Sequence, residues 1–357
     1  MVHRRAILKT GMGLLTSLLL PAALAGAGAD KERELALLIW PDYIDPALLQ
    51  KFAEQYKVLV RQVSFDSDQE RDQLLVRKGA GAFDLMVVNH INLPLYAQRG
   101  WVSPIDTHAL APFAEVDSRW LAEPDSNGQV VGIPYFWGNI GLAYRADLLP
   151  KAPESWMDFF RPDEALRGHI NAMESDREML GMALRALGHS VNSEEAEQLS
   201  AAEGLLLEQK PFVKHYRYLD LNATSPLVTG EVKMAIVYNG DAVKLREFHP
   251  QIRYVHPREG SAIWVDYLAI GKVSAVRQAL AMQFLHFILQ ADHALQNAES
   301  LHFATPNRVS LAQASVSYRQ DPTVFPPPEV LNRSEPIRPV AVRTLKRIND
   351  FMGRLLR

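Results

Sequence analysis

The stretch Val131-Gly132-Ile133-Pro134-Tyr135-Phe136-Trp137-Gly138-Asn139-Ile140-Gly141-Leu142 decides how this chain is organised. It is extended in character, apolar and punctuated by glycine. A segment of this texture can cross from one domain to another and bend where glycine lets it. The run Trp264 to Ile270 reads the same way and predicts a second crossing. Two crossings make two lobes.

The flanking sequence predicts what each lobe is made of. Leu35 to Trp40 is a continuous apolar run ended by Pro41, as expected of a strand buried on both faces. Pro46 to Tyr56 has helical spacing, with Leu48, Leu49 and Phe52 on one side. Val58 to Phe65 alternates as a strand does, Asp68 to Lys78 reads as a helix, and Phe83 to Val88 as a third buried strand. Strand–helix alternation predicts a parallel sheet covered by helices. Past the first crossing, Ser155 to Phe160 begins a short helix and Ile170 to Met173 is a short strand. Arg177 to Leu187 is a helix stopped by Gly188. Met234 to Tyr238 is a strand with a loop expected at Asn239-Gly240, and Val276 to Gln290 is a helix. Trp101, Trp137 and Trp156 are read as packing residues, and Pro326-Pro327-Pro328 as a connection.

The second crossing also carries chemistry. In Ile263-Trp264-Val265-Asp266-Tyr267 the ring and the carboxylate are two apart, so in a strand they share a face. A ring face beside a carboxylate is a receptor for an organic ammonium ion. Similar pairs occur in Trp40-Pro41-Asp42-Tyr43 and Tyr238-Asn239-Gly240-Asp241. These residues lie at or just after the ends of predicted strands, where open α/β sheets bind ligands. Each has a plainer reading. Asp42 suits an N-cap for the helix near Asp45, Asp241 suits a turn, and Glu178 suits a first-turn acid favoured by the helix dipole. His90 is a loop residue that, with an ordinary pKa, would sense ligand charge near neutrality.

The ends and the composition narrow the class. Arg4-Arg5-Ala6-Ile7-Leu8-Lys9, the apolar run Gly11 to Leu24, and small residues at Ala23-Leu24-Ala25 and Ala27-Gly28-Ala29 predict an export signal over residues 1–29. Both the general secretory and the twin-arginine routes remain open. Cleavage removes Arg4, Arg5 and Lys9 from the 38 basic residues and none of the 41 acidic ones. The exported chain is then more acidic than the full net charge of −3, which argues against nucleic acid as a partner. There is no cysteine, so disulfides, thiolate metal sites and thiol nucleophiles are excluded. The nucleophile-elbow, zinc-protease and phosphate-loop motifs are absent from the sequence, and neither an enzyme, a metal nor a cofactor is expected.

With these residues placed, the chain resembles the bacterial periplasmic polyamine-binding proteins, the spermidine/putrescine receptors of ABC importers. The resemblance rests on Ile39-Trp40-Pro41-Asp42-Tyr43, Phe83-Asp84-Leu85-Met86-Val87-Val88 and Ile133-Pro134-Tyr135-Phe136-Trp137-Gly138. It continues through Arg177-Glu178, Gly230-Glu231-Val232, Tyr238-Asn239-Gly240-Asp241, Trp264-Val265-Asp266 and Ala304-Thr305-Pro306-Asn307. It implies a two-lobed α/β solute-binding protein of type II, each lobe a sheet flanked by helices, with the ligand in the cleft. Lobe 1 is expected to comprise residues 30–138 and 267–310, and lobe 2 residues 139–266 and 311–357. Trp40, Tyr238, Trp264 and Phe303 fall where the family places box aromatics, and Asp42, Glu178, Asp241 and Asp266 where it places acids; Tyr43 adjoins the first pair. Asp42 and Asp241 resemble the putrescine-type receptors more than the spermidine-type ones. Pro41 stands where the family usually has Ser or Thr, and Asn89-His90 where it typically has a Pro-Ser pair. The resemblance implies a monomer in the periplasm that carries a polyamine to a membrane permease, or reports it to a membrane sensor.

Overall fold

The computed structural model describes residues 34–357; the export segment lies outside them. The strands are β1 (Glu34–Ile39), β2 (Leu59–Ser64), β3 (Leu85–Asn89), β4 (Val102–Ser103), β5 (Ile133–Arg145), β6 (Ile170–Ala172), β7 (Val213–Tyr216), β8 (Met234–Tyr238), β9 (Ile252–Val255), β10 (Ala262–Gly271) and β11 (Glu335–Pro336). Their order is β2-β1-β3-β10-β5-β8-β6-β7, with β4 and β11 on β10 and β9 on β5.

β5 and β10 hold this array together. All of β10 is buried, and all of β5 except Tyr144 is close to fully so. Strands covered on both faces need near-continuous apolar sequence, which both have apart from Asn139 and Arg145 on β5 and Asp266 on β10. They run antiparallel to each other and across both lobes. Each lobe therefore has one parallel group, β2-β1-β3 or β8-β6-β7, joined to an antiparallel partner. The parallel sheet expected from strand–helix alternation is thus mixed, because the crossing strands enter one lobe and leave the other in opposite directions.

Two main cores follow. Leu37, Phe52, Met86, Leu268 and Phe284 belong to the first, and Trp156, Phe159, Phe160, Leu180, Leu206 and Ile236 to the second. β5 gives Ile133 to Trp137 to the first core and Ile140 and Leu142 to the second. The changeover falls at Gly138-Asn139. On β10 it falls between Ala262 and Ile263, and the β5/β10 register shifts between Asp266 and Tyr267.

Two sequence expectations change here. Residues 311–357 do not all pack with the second lobe: Ala314, Tyr318 and Val324 join the first core, and only Ile337, Ile348, Phe351, Met352 and Leu355 join the second. The Tyr318 hydroxyl donates to the Phe303 carbonyl and its ring meets Phe325, which fastens this segment to lobe 1. Asn239-Gly240 is the start of the helix Asn239–Phe248, not a loop. The Asn239 side chain accepts from the Asn139 N–H at 3.3 Å and donates to the Thr323 carbonyl at 3.1 Å, holding that helix end against the changeover in β5. No helix among the described residues is long and apolar enough to cross a membrane.

Candidate functional site

Sheet ends from both lobes deliver side chains to one place. Tyr43 follows β1, Trp264 and Asp266 lie on β10, and Tyr238 ends β8. Asp241 and Glu178 occupy the first turns of Asn239–Phe248 and Asp176–Ala186. Phe303 comes from the other side of the molecule. It is presented by a left-handed His302 and by the bridge between Ala304 and Trp137 of β5.

The rings form a connected wall. Phe303 lies 5.0 Å from Tyr43, 5.5 Å from Phe136 and 5.7 Å from Trp264, between ring centres. Trp264 continues to Tyr238 at 6.0 Å, and Tyr238 to Tyr218 at 6.2 Å. Two glycines permit this closeness. A Cβ on Gly240 would sit 2.0 Å from the Phe303 ring, and one on Gly138 would sit 2.6 Å from the Trp264 ring. Neither site can carry a side chain without moving an aromatic wall.

Three carboxylates face that wall. The Tyr43 hydroxyl donates to Asp266 Oδ2 at 2.8 Å, and the Tyr238 hydroxyl donates to Glu178 Oε2 at 2.8 Å. Asp241 makes none of the hydrogen bonds or ion pairs found among the described residues. Removal from water disfavours the charged form of an acid. Burial accordingly pushes the carboxyls of Asp266 and Asp241 up to about 7 and that of Glu178 up to about 6. An ionised carboxylate accepts roughly four hydrogen bonds, so one phenol leaves most of that capacity unmet. A cation with N–H groups, held between rings, meets both needs.

The family model for bacterial extracellular solute-binding proteins matches residues 47–326.

This chain is a bacterial extracellular solute-binding protein.

Its relatives include the spermidine/putrescine-binding periplasmic protein of Escherichia coli (strain K12), 29% identical over 90% of this chain and 91% of the relative. The norspermidine sensor of Vibrio cholerae is 29% identical over 84% of this chain and 82% of its own length. Among solved structures, the spermidine/putrescine ABC transporter substrate-binding protein PotD of Streptococcus pneumoniae superposes with a TM-score of 0.79 at 26% identity. That match covers 91% of this chain and 98% of the other.

Within this solute-binding protein, three residues singled out from sequence share none of the side-chain hydrogen bonds or ring contacts that join the group. Trp40 is half-buried and packs on Phe65 at 4.4 Å. Asp42 is exposed, with a left-handed backbone (φ 50°), and the cap of the following helix is Asp45, whose side chain accepts from the Ala47 N–H. His90 is held by Val265: its N–H donates to the Val265 carbonyl at 2.9 Å, and Nδ1 faces the Val265 N–H at 3.3 Å. Burial pushes His90 down to about 4, so it is neutral near pH 7 and does not sense charge there. Its Nε2 is buried without a hydrogen-bond partner.

Sequence reasoning passed over several neighbours of the site. Tyr135 donates to the Tyr43 carbonyl at 2.8 Å and accepts from Asn297 at 2.9 Å, which fixes the loop carrying Tyr43. Tyr218 belongs to no predicted element, and the only signal for it is its aromatic type. Asn89, opposite Asp266 in the β3/β10 register, read as the loss of a family residue and nothing more.

Proposed function

We propose that this protein binds a linear polyamine of the putrescine or spermidine type in the periplasm and presents it to an ABC importer. The single observation behind this reading is the set of under-bonded carboxylates, Asp266 and Glu178 buried and Asp241 half-buried, beside the wall of Trp264, Phe303, Tyr43 and Tyr238. Ammonium groups would take up the carboxylates' empty acceptor sites. Each methylene covered by a ring contributes about 0.8 kcal/mol, and each ring face over a cation roughly 0.5–2 kcal/mol. The relatives from Escherichia coli and Vibrio cholerae are named for amines of this class.

The ligand-binding set in this reading is Tyr43, Glu178, Tyr238, Asp241, Trp264, Asp266 and Phe303, with Trp40 and Asp42 at its margin. The lobes would close by bending at Gly138–Gly141 and Trp264–Tyr267. A ligand that contacts both lobes binds the closed arrangement better, and so shifts the population toward it. The permease would dock on that closed form. No bond in the ligand is made or broken. Residues 1–29 would direct export and be removed.

A melting panel tests the reading. Putrescine and spermidine should raise the melting temperature of the refolded protein by several degrees, while amino acids and sugars leave it unchanged. A panel in which only another solute class stabilises the protein would overturn it. The equal identity, 29%, to a norspermidine sensor favours one second reading, in which the closed form engages a signalling receptor. Uptake of labelled polyamine by a strain carrying the intact gene but not by a deletion strain supports the importer. Unchanged uptake supports the sensor.

A further inference from the structure

Asn89 and Asp266 are directly opposed across β3 and β10, so their side chains project to the same face of the sheet, roughly 5 Å apart at Cβ. Asn89 Nδ2 donates to Asp68 Oδ2 at 2.6 Å, and Asn92 Nδ2 donates to the same oxygen at 3.1 Å. The two amides fix the Asp68 carboxylate beside Asp266. Asp68 is reachable, with 42% of its side chain exposed. Asp266 is only 8% exposed, and its Oδ1 takes no hydrogen bond among the described residues. Two carboxylates thus share one wall, with an acceptor oxygen of the buried one still free.

Among the described residues, the guanidinium paired with this group is that of Arg71. It is fully buried, lies 2.8 Å from Asp68, and is tied to Tyr96. Asp68 is also felt across the cleft: after burial, its negative charge helps to hold up the carboxyls of both Asp266 and Glu178. Asp68, Asp266 and Glu178 have Arg71 and, acting on Glu178, Arg177 against them, so the acids outnumber the guanidinium groups by three to two. Asp241 is a fourth acid. Its shift comes from burial alone, so it stands electrostatically apart from the other acids. Tyr43 lies between the two zones, since it hydrogen-bonds Asp266 and is also influenced by Asp241.

We propose that Asp68, clamped by Asn89 and Asn92, is a further carboxylate of the ligand site and makes it prefer a linear triamine to a diamine of equal length. This rests on the polyamine reading above. Within an aromatic channel an inner methylene is favoured over an inner ammonium, because the ammonium must leave water. A carboxylate facing the inner nitrogen reverses that order. Asp68 and Asp266 side by side, with Glu178 opposite, hold a terminal and an inner ammonium together. Asp241 takes the far end.

Spermidine and 1,8-diaminooctane test this, because they have the same backbone length and differ by the inner nitrogen. Calorimetric titration at pH 8 of the wild-type mature protein should favour spermidine by about tenfold or more. In Asp68→Asn the preference should vanish, chiefly through weaker spermidine binding, with 1,8-diaminooctane within about threefold of wild type. Asn89→Ala, which frees Asp68 without removing its charge, should give an intermediate preference. Equal wild-type affinities, or a preference that survives Asp68→Asn, would overturn the inference while leaving the polyamine reading intact. Equal weakening of both amines in Asp68→Asn would assign Asp68 a purely structural role. Wild-type protein that binds neither amine overturns the polyamine reading itself, and this inference with it.

Discussion

The Tyr238 hydroxyl donates to the Glu178 carboxylate at 2.8 Å, joining the end of β8 to the first turn of the helix Asp176–Ala186. The acid that looks from sequence like an ordinary helix-start residue is thereby turned toward the Trp264 wall. Tyr238→Phe keeps the ring and deletes that donor. A hydrogen bond to a charged group contributes about 1.5–3 kcal/mol, so polyamine affinity should fall by roughly tenfold or more while the ligand-free melting temperature stays within a few degrees. Unchanged affinity in a titration would remove Glu178 from the ligand's surroundings.

Asp266→Asn separates charge from shape. The amide can still accept from the Tyr43 hydroxyl, but it no longer offsets an ammonium. Polyamine binding should weaken more than tenfold, about 1.4 kcal/mol or more. Burial disfavours the ionised Asp266, so the ligand-free variant should melt at the same temperature or higher at pH 8. A lower melting temperature with intact binding would show that Asp266 is structural.

Acidity should weaken binding and strengthen the empty protein. The folded-state pKa values of Asp266 and Asp241, about 7, and of Glu178, about 6, lie above their ordinary values of 3.8 and 4.5. Groups raised in this way contribute stability that is fully present below the ordinary carboxylate range and is lost as the pH rises through about 6 to 7. Polyamine nitrogens stay charged over that range, so affinity should climb from pH 5 to pH 8 as the acids ionise. Titrations at both pH values, with urea melts of ligand-free protein, check the two opposite slopes. A pH-independent affinity would mean that these carboxyls do not meet the ligand.

Gly240→Ala tests closure. Gly240 lies on the β8 side and Phe303 packs with the first core, yet an added Cβ would fall 2.0 Å from the Phe303 ring. If closure brings Gly240 and Phe303 together, the added methyl hinders that step. Affinity should drop by about tenfold, with little change in the melting temperature of the ligand-free protein. X-ray scattering should show that saturating ligand compacts the wild type more than the variant. Equal compaction would place the hinge motion elsewhere.

The crossing strands were legible because burial on both faces demands near-continuous apolar sequence, and Ile133–Tyr144 and Ala262–Gly271 supply it with only Asn139 and Asp266 as interruptions. Trp264 and Asp266 could be paired from strand periodicity alone. Phe303 could be reached only through resemblance, since its position depends on the Trp137–Ala304 bridge between segments far apart in sequence. Asp68 was hidden because a helix-start acid after the N-cap Ser67 has a sufficient local explanation. Its tie to Asn89 is tertiary. The helix beginning at Asn239 was hidden for a similar reason: Asn-Gly favours turns locally, and the bonds from Asn139 and to Thr323 override that preference.

Calorimetric titration of mature protein, freed of ligand by unfolding and refolding, against spermidine and putrescine at pH 8 tests the central claim most directly. The account predicts saturable one-to-one binding that Asp266→Asn and Trp264→Ala each weaken by at least about tenfold. Flat titrations for every polyamine, from protein that is folded by circular dichroism, would contradict it.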